Sequence, residues 1–129
     1  STQGKAIITE NQGLDESLDN LQTALLIPIL VTLVENAFQA DPTTKVSLAS
    51  QKLEECLSIH VSDTSGGIPE SERESLFQPK KSRKKGGTGL GLAIAQQLAL
   101  SIGANFELVR SDAKGSEFKL ELELPQDTR

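Results

Sequence analysis

The last third of the chain alternates. Phe118, Leu120, Leu122 and Leu124 are apolar, while Lys119, Glu121 and Glu123 between them are charged. A period of two marks a strand with one buried face. Leu57, Ile59 and Val61 stand against Ser58, His60 and Ser62 in the same way, a shorter alternation covers 45–49, and 105–110 reads as another strand. Residues 5–9 read as a further short strand. The polar stretch 50–55 and Asp112-Ala113-Lys114-Gly115 read as the turns between paired strands. Residues 21–40 and 90–102 follow a helical pattern instead. Pro28 favours a first helix that starts near residue 27 with the proline in its first turn, the alternative being a kink in a longer one. Asp41-Pro42 stops it. The second helix carries apolar residues at Leu90, Ala93, Ile94, Leu98 and Ile102, and Gly103 is a natural terminator. A short helix fits 69–76; residues 10–20 form a polar loop or a short edge segment, and 126–129 a tail. Strands with one apolar face beside helices predict a two-layer α/β sandwich: a mixed, largely antiparallel sheet with helices packed on one face. At 129 residues this is a single domain, structured over about 5–124.

Two places on this scaffold carry polar groups suited to chemistry. In the first helix, Thr32, Glu35, Asn36 and Gln39 recur at i, i+3, i+4 and i+7 on an otherwise apolar helix. The stripe is either a solvent face or the lining of a ligand cleft, and the Asn36 amide oxygen is a suitable hard ligand for Mg²⁺. Asp63-Thr64-Ser65-Gly66-Gly67-Ile68-Pro69 follows the 57–62 strand. It is either a tight turn or a carboxylate at a strand end, with glycines that admit a planar ligand. A carboxylate accepts from an exocyclic amine, so adenine is a reasonable guest. His60, the sole histidine, lies mid-strand on a polar face and reads as a surface residue.

Charge changes the picture around the second helix. Lys80-Lys81-Ser82-Arg83-Lys84-Lys85 carries five cations and no acid, against a net charge of −5, leaving −10 for the rest. This asymmetry argues for one local anion site and against a general nucleic-acid or membrane binder. The run abuts Gly86-Gly87-Thr88-Gly89-Leu90-Gly91-Leu92 at the helix start, where unshielded amides and the helix dipole favour phosphate. The spacing fits neither a dinucleotide-binding turn nor a P-loop. Cys56 is alone, which excludes a disulfide framework and fits a reducing compartment. The apolar run 24–31 is short for a bilayer span, and the first residues carry no signal-peptide pattern, so the chain reads as a soluble piece of a larger protein.

Taken in order, these segments resemble the ATP-binding catalytic domain of bacterial sensor histidine kinases. Leu33-Val34-Glu35-Asn36-Ala37 resembles that family's N box, and Asp63 through Pro69 its first glycine box. Phe77-Gln78-Pro79 resembles the F box, and Gly87-Thr88-Gly89-Leu90-Gly91-Leu92 matches the second glycine box. The resemblance implies the Bergerat-type sandwich shared with DNA gyrase, MutL and heat-shock chaperone ATPases. It implies that Asn36 holds Mg²⁺ against ATP, that Asp63 accepts from the adenine amino group, and that Gly67 leaves room beside the base. Gly87, Thr88, Gly89, Leu90 and Gly91 would serve the phosphates, with residues 70–86 as a lid and Lys84 reaching the γ-phosphate. Glu35 would support the metal and phosphate surroundings. Three positions depart from the pattern: Thr32 replaces a second Asn, Ser65 the first glycine after the Asp, and Lys80 the usual Phe.

The resemblance implies γ-phosphoryl transfer from Mg-ATP to a histidine on a separate dimerisation domain, then relay to a response regulator, in the cytoplasm beneath a membrane-anchored sensor. It implies a monomeric fragment that binds ATP or ADP and no nucleic acid. The alternatives are a gyrase- or MutL-type ATPase, disfavoured by Thr32 where a catalytic Glu would stand; an anti-sigma-factor-type serine kinase; and a nucleotide-binding module without catalysis.

Overall fold

The computed structural model describes residues 5–10, 18–73, 75–77 and 91–125. In chain order the elements are β1 (Lys5–Glu10), α1 (Asn20–Ala40), β2 (Lys45–Leu53), β3 (Cys56–Asp63), α2 (Glu70–Arg73), α3 (Gly91–Ser101), β4 (Asn105–Asp112) and β5 (Gly115–Glu123). The strands form one sheet in the order β1-β2-β3-β5-β4. β1 runs parallel to β2, and every other pair is antiparallel. The expected mixed, largely antiparallel sheet is therefore present.

The period-two faces were read correctly. Leu57, Ile59 and Val61 of β3 and Phe118, Leu120 and Leu122 of β5 are all buried, and register places them side by side. Against them α1 turns Leu26, Ile29, Leu33 and Ala37, spaced three and four apart, with Ile29 fully enclosed. By length and composition α1 could cross a membrane, but this face belongs to the core of the domain.

Three local readings need correction. α1 does not begin near residue 27; it runs unbroken from Asn20 through Pro28. Its start is fixed by a reciprocal cap, with the Gln22 amide donating to Asp19 Oδ1 at 2.7 Å and the Asp19 amide to Gln22 Oε1 at 3.2 Å. Gln22 Nε2 then donates to the Glu123 carbonyl at 2.8 Å, tying this first turn to the end of β5. Pro28 lies on the exposed side with Ile27 and Val31, where the missing amide hydrogen bond costs least. β2 does not stop at residue 49 but continues to Leu53, so the hairpin closes over Glu54-Glu55 alone, with Glu54 at φ 56°. Ser50, read as part of a polar turn, pairs with Ile59 and is buried.

In α3 the buried residues are Ala95 and Ala99, while Ile94 is 52% exposed. Small side chains let α3 lie close to α1: a Cβ on Gly91 would stand 3.3 Å from Thr32 Cγ2. Gly103 adopts φ +68°, and the Ala104 amide bonds back to the Ala99 carbonyl at 2.9 Å, closing the helix as expected of a terminal glycine.

Candidate functional site

The apolar column of β3 ends in a carboxylate. Leu57, Ile59, Val61 and Asp63 alternate onto one face, and Asp63 pairs with Val46 of β2 on one side and Ser116 of β5 on the other. Ser116 pairs in turn with Ser111 of β4. The core thus gives way at one end of the sheet to a polar row made of Asp63, Ser116 and Ser111.

The two oxygens of Asp63 are used differently. Oδ1 accepts three bonds: from the Ser65 amide at 3.0 Å, the Ser65 hydroxyl at 2.5 Å and the Ser116 amide at 3.3 Å. Oδ2 has no partner among the described residues. Ser65 is 5% exposed, so its hydroxyl is committed inward. The serine that departs from the expected pattern therefore clamps one carboxylate oxygen and leaves the other without a partner among the described residues.

The loop after Asp63 is pinned at both ends. The Thr64 amide donates to Thr44 Oγ1 at 2.9 Å, and Thr64 Oγ1 accepts from the Lys45 amide at 2.9 Å. The Ile68 amide donates to Ser111 Oγ at 2.7 Å. Arg73 of α2 donates to the carbonyls of Ile68 and Ser111, both at 3.1 Å, joining the start of the expected lid to loop and sheet. Gly67 has φ +86°, and a Cβ there would collide with the Asp112 carbonyl. Packing against the β4–β5 turn thus requires glycine whether or not a ligand is near. That turn is itself held by Asp112, whose carboxylate accepts from the Lys114 amide at 2.8 Å; this bond keeps its pKa below the usual range.

A second polar region lies where α1 meets α3. Thr32 faces Gly91 at the start of α3, and Asn36 is one turn further along the same face. Both are half-buried, whereas Glu35 and Gln39 are exposed, so the polar stripe divides into an inner and an outer pair. The Asn36 amide has no hydrogen bond among the described residues, and among them no three His, Cys, Asp or Glu side chains cluster. Gly87, Thr88, Gly89, Leu90 and Lys84 lie outside the described residues. Gly67 and Asp63 share one hydrogen-bonded loop; Asn36 and Gly91 share the helix junction.

Phe77, where the F box begins, packs on Phe106 and Phe118 with ring centroids 5.1 and 6.3 Å away. The first half of the expected lid is thereby fastened to the core at Phe77. His60 bonds through Nδ1 to Glu117 Oε2 at 2.7 Å and through Nε2 to Ser58 Oγ at 3.3 Å, on the face opposite Asp63. Sequence reasoning missed Ser116, Ser111 and Arg73. Ser116 was visible, since it opens the alternation that continues through Phe118 and Leu120. Ser111 was not, because its facing depends on an irregularity in β4.

Residues 22–126 match the family described as histidine kinase-, DNA gyrase B-, and HSP90-like ATPase. The chain is 36% identical over 107 residues to the autoinducer 2 sensor kinase/phosphatase LuxQ of Vibrio vulnificus, covering 73% of the chain and 12% of that protein. It is 33% identical over 105 residues to the sensor-like histidine kinase SenX3 of Mycolicibacterium smegmatis, covering 76% of the chain and 27% of that protein. The chain thus spans about a quarter or less of these relatives. Among solved structures, the catalytic domain of histidine kinase ThkA superposes with a TM-score of 0.74 at 25% identity, covering 94% of this chain and 78% of that one. Full-length ShkA in complex with AMPPNP superposes with a TM-score of 0.77 at 21% identity, covering 98% and 26%.

Proposed function

The chain belongs to the family of histidine kinase-, DNA gyrase B- and HSP90-like ATPases, and from that premise we propose that it binds Mg-ATP as the catalytic domain of a sensor histidine kinase. The observation that carries this reading is the divided carboxylate of Asp63: three donors hold Oδ1, and Oδ2, with no partner among the described residues, is left to accept from an exocyclic amine. The phosphate end follows from the α1–α3 junction. Gly91 contributes to the N-terminal positive end of α3, and Asn36 offers a neutral oxygen to Mg²⁺. One protein ligand suffices for a metal held mainly by phosphate oxygens and water. The bound metal supplies charge neutralisation at the phosphates, Lys84 adds a cation to the γ-phosphate, and Gly87, Thr88, Gly89 and Leu90 add backbone donors. Glu35 lies on the outer half of the helix stripe and acts on the phosphate surroundings through charge.

The acceptor is a histidine on a dimerisation domain, and the phosphoryl group passes from there to a response regulator. His60 is unsuited to that role, being half-buried on a strand and bonded to Glu117. The domain works in the cytoplasm as part of a longer sensor. Thr32, standing where a hydrolytic relative would carry its Glu, disfavours water activation.

Titration calorimetry with ATP, with and without Mg²⁺, tests the reading. The chain should bind Mg-ATP, and Asn36→Ala should weaken that binding about tenfold while leaving metal-free ADP binding nearly unchanged. Equal losses with and without metal would remove Asn36 from the metal. Incubation with labelled ATP and a histidine-containing dimerisation domain should then place label on histidine. Transfer to serine of a sigma antagonist, or no transfer, would favour the alternatives.

A further inference from the structure

β4 carries one residue more than the strand beside it. Leu108 pairs with Phe118 and Arg110 with Glu117, which leaves Val109 as a bulge between them. A bulge re-aims the side chains beyond it. Phe106 and Leu108 pair with Leu120 and Phe118 on the core face, so strict alternation would send residue 111 to the opposite one. The extra residue returns Ser111 to the core side, where it meets the loop that follows Asp63.

Ile68 and Ser111 are joined twice. The Ile68 amide donates to Ser111 Oγ at 2.7 Å. Arg73 then spans both backbones: Nε donates to the Ile68 carbonyl and Nη2 to the Ser111 carbonyl, each at 3.1 Å. Loop and strand are in close contact here, since a Cβ on Gly67 would stand 3.1 Å from Ser111 Oγ. Arg73 is exposed and forms no ion pair among the described residues, although Glu70 and Glu72 lie on the same turn. Its planar fork is committed to two neutral carbonyls, a geometry that a single ammonium does not reproduce.

The loop that is held this way contains Gly66 and Gly67, and two adjacent glycines leave a backbone unusually free. Its near end is fixed by the reciprocal bonds of Thr64 with Thr44 and Lys45. Its far end depends on Ser111 and Arg73. We propose that Arg73 is a positioning residue for nucleotide: it holds Gly67 and Ile68 against β4, so that the wall beside the base is formed before nucleotide arrives. Arg73 acts through Ile68 rather than by touching the ligand. A wall that the ligand has to order lowers apparent affinity by the fraction of molecules in which it already stands in place. This inference rests on the nucleotide reading above.

The size of the effect follows from the two bonds. Together they shift the loop equilibrium about thirtyfold, enough to take the wall from about nine molecules in ten to about one in five. Amide hydrogen exchange, ADP titration and urea unfolding on the 129-residue chain, Arg73→Ala and Arg73→Lys provide the test. Without nucleotide, the Ile68 amide of Arg73→Ala should exchange at close to its unprotected rate, and saturating ADP should slow it again. Affinity for ADP should fall about fourfold, while the urea midpoint stays where it was because the side chain is exposed. Arg73→Lys keeps the charge without the fork and should remain weakened. Faster exchange with unchanged affinity would make Arg73 purely structural and overturn the inference; so would an Ile68 amide that stays protected. Full affinity in Arg73→Lys would assign the effect to charge and overturn it as well. If the unsubstituted chain did not bind ADP, the nucleotide reading itself would fall, and this inference with it.

Discussion

Asp63→Asn should lower nucleotide affinity a hundredfold or more while leaving the fold nearly as stable as before. The reason lies in which amide atom can occupy which position. Ser65 N, Ser65 Oγ and Ser116 N all donate to Oδ1, so the asparagine oxygen must take that place. Its NH₂ group then replaces Oδ2 and turns a donor toward the adenine amine. The loss combines a bond to a charged acceptor, about 1.5–3 kcal/mol, with a donor facing a donor. Asp63→Ala should behave differently, because three donors lose their acceptor and stability falls by about 2 kcal/mol or more. Calorimetry beside urea unfolding separates the two effects. Retained affinity in the asparagine variant would remove Asp63 from the base and leave it as a structural clamp.

The largest stability effect should come from Gly115→Ala. Gly115 opens β5 at φ +141°, and a Cβ there would run into the Asp63 carbonyl, which belongs to backbone and cannot swing aside. Either β3 and β5 separate at the site end or the β4–β5 turn rebuilds, at a cost of about 3 kcal/mol or more. Gly103→Ala is the control: φ is +68° and nothing lies within 4 Å of the added carbon. Only the left-handed backbone term remains there, about 1 kcal/mol. Urea midpoints for the two variants should therefore differ widely. Similar midpoints would mean that the contact with Asp63 is readily relieved.

The faces of β3 and β5, and hence the sandwich, were legible because their periodicity is local and their apolar residues are buried together. What was misread depended on distant partners. Pro28 looked like a helix boundary because the cap at Asp19 and the Gln22–Glu123 tie lie outside its neighbourhood. Ser50 looked like a turn residue because only pairing with Ile59 shows that it is enclosed. Of the candidate site, Asp63 was singled out by its motif, and the structure adds the clamp on one of its oxygens. Asn36 was singled out from helical spacing, but its separation from the exposed Glu35 and Gln39 required the α1–α3 packing. Ser111 was beyond reach, since one bulge residue reverses its face.

The aromatic contacts of Phe77 have a practical side. The chain holds four Phe and neither Trp nor Tyr, so it is almost dark in near-ultraviolet absorption and emission. Phe77→Trp would make one emitter, seated against Phe106 at the edge of the core and immediately before residues 78–90. With no other fluorophore to subtract, its spectrum would report directly on what nucleotide does at that junction, as a signal read in real time.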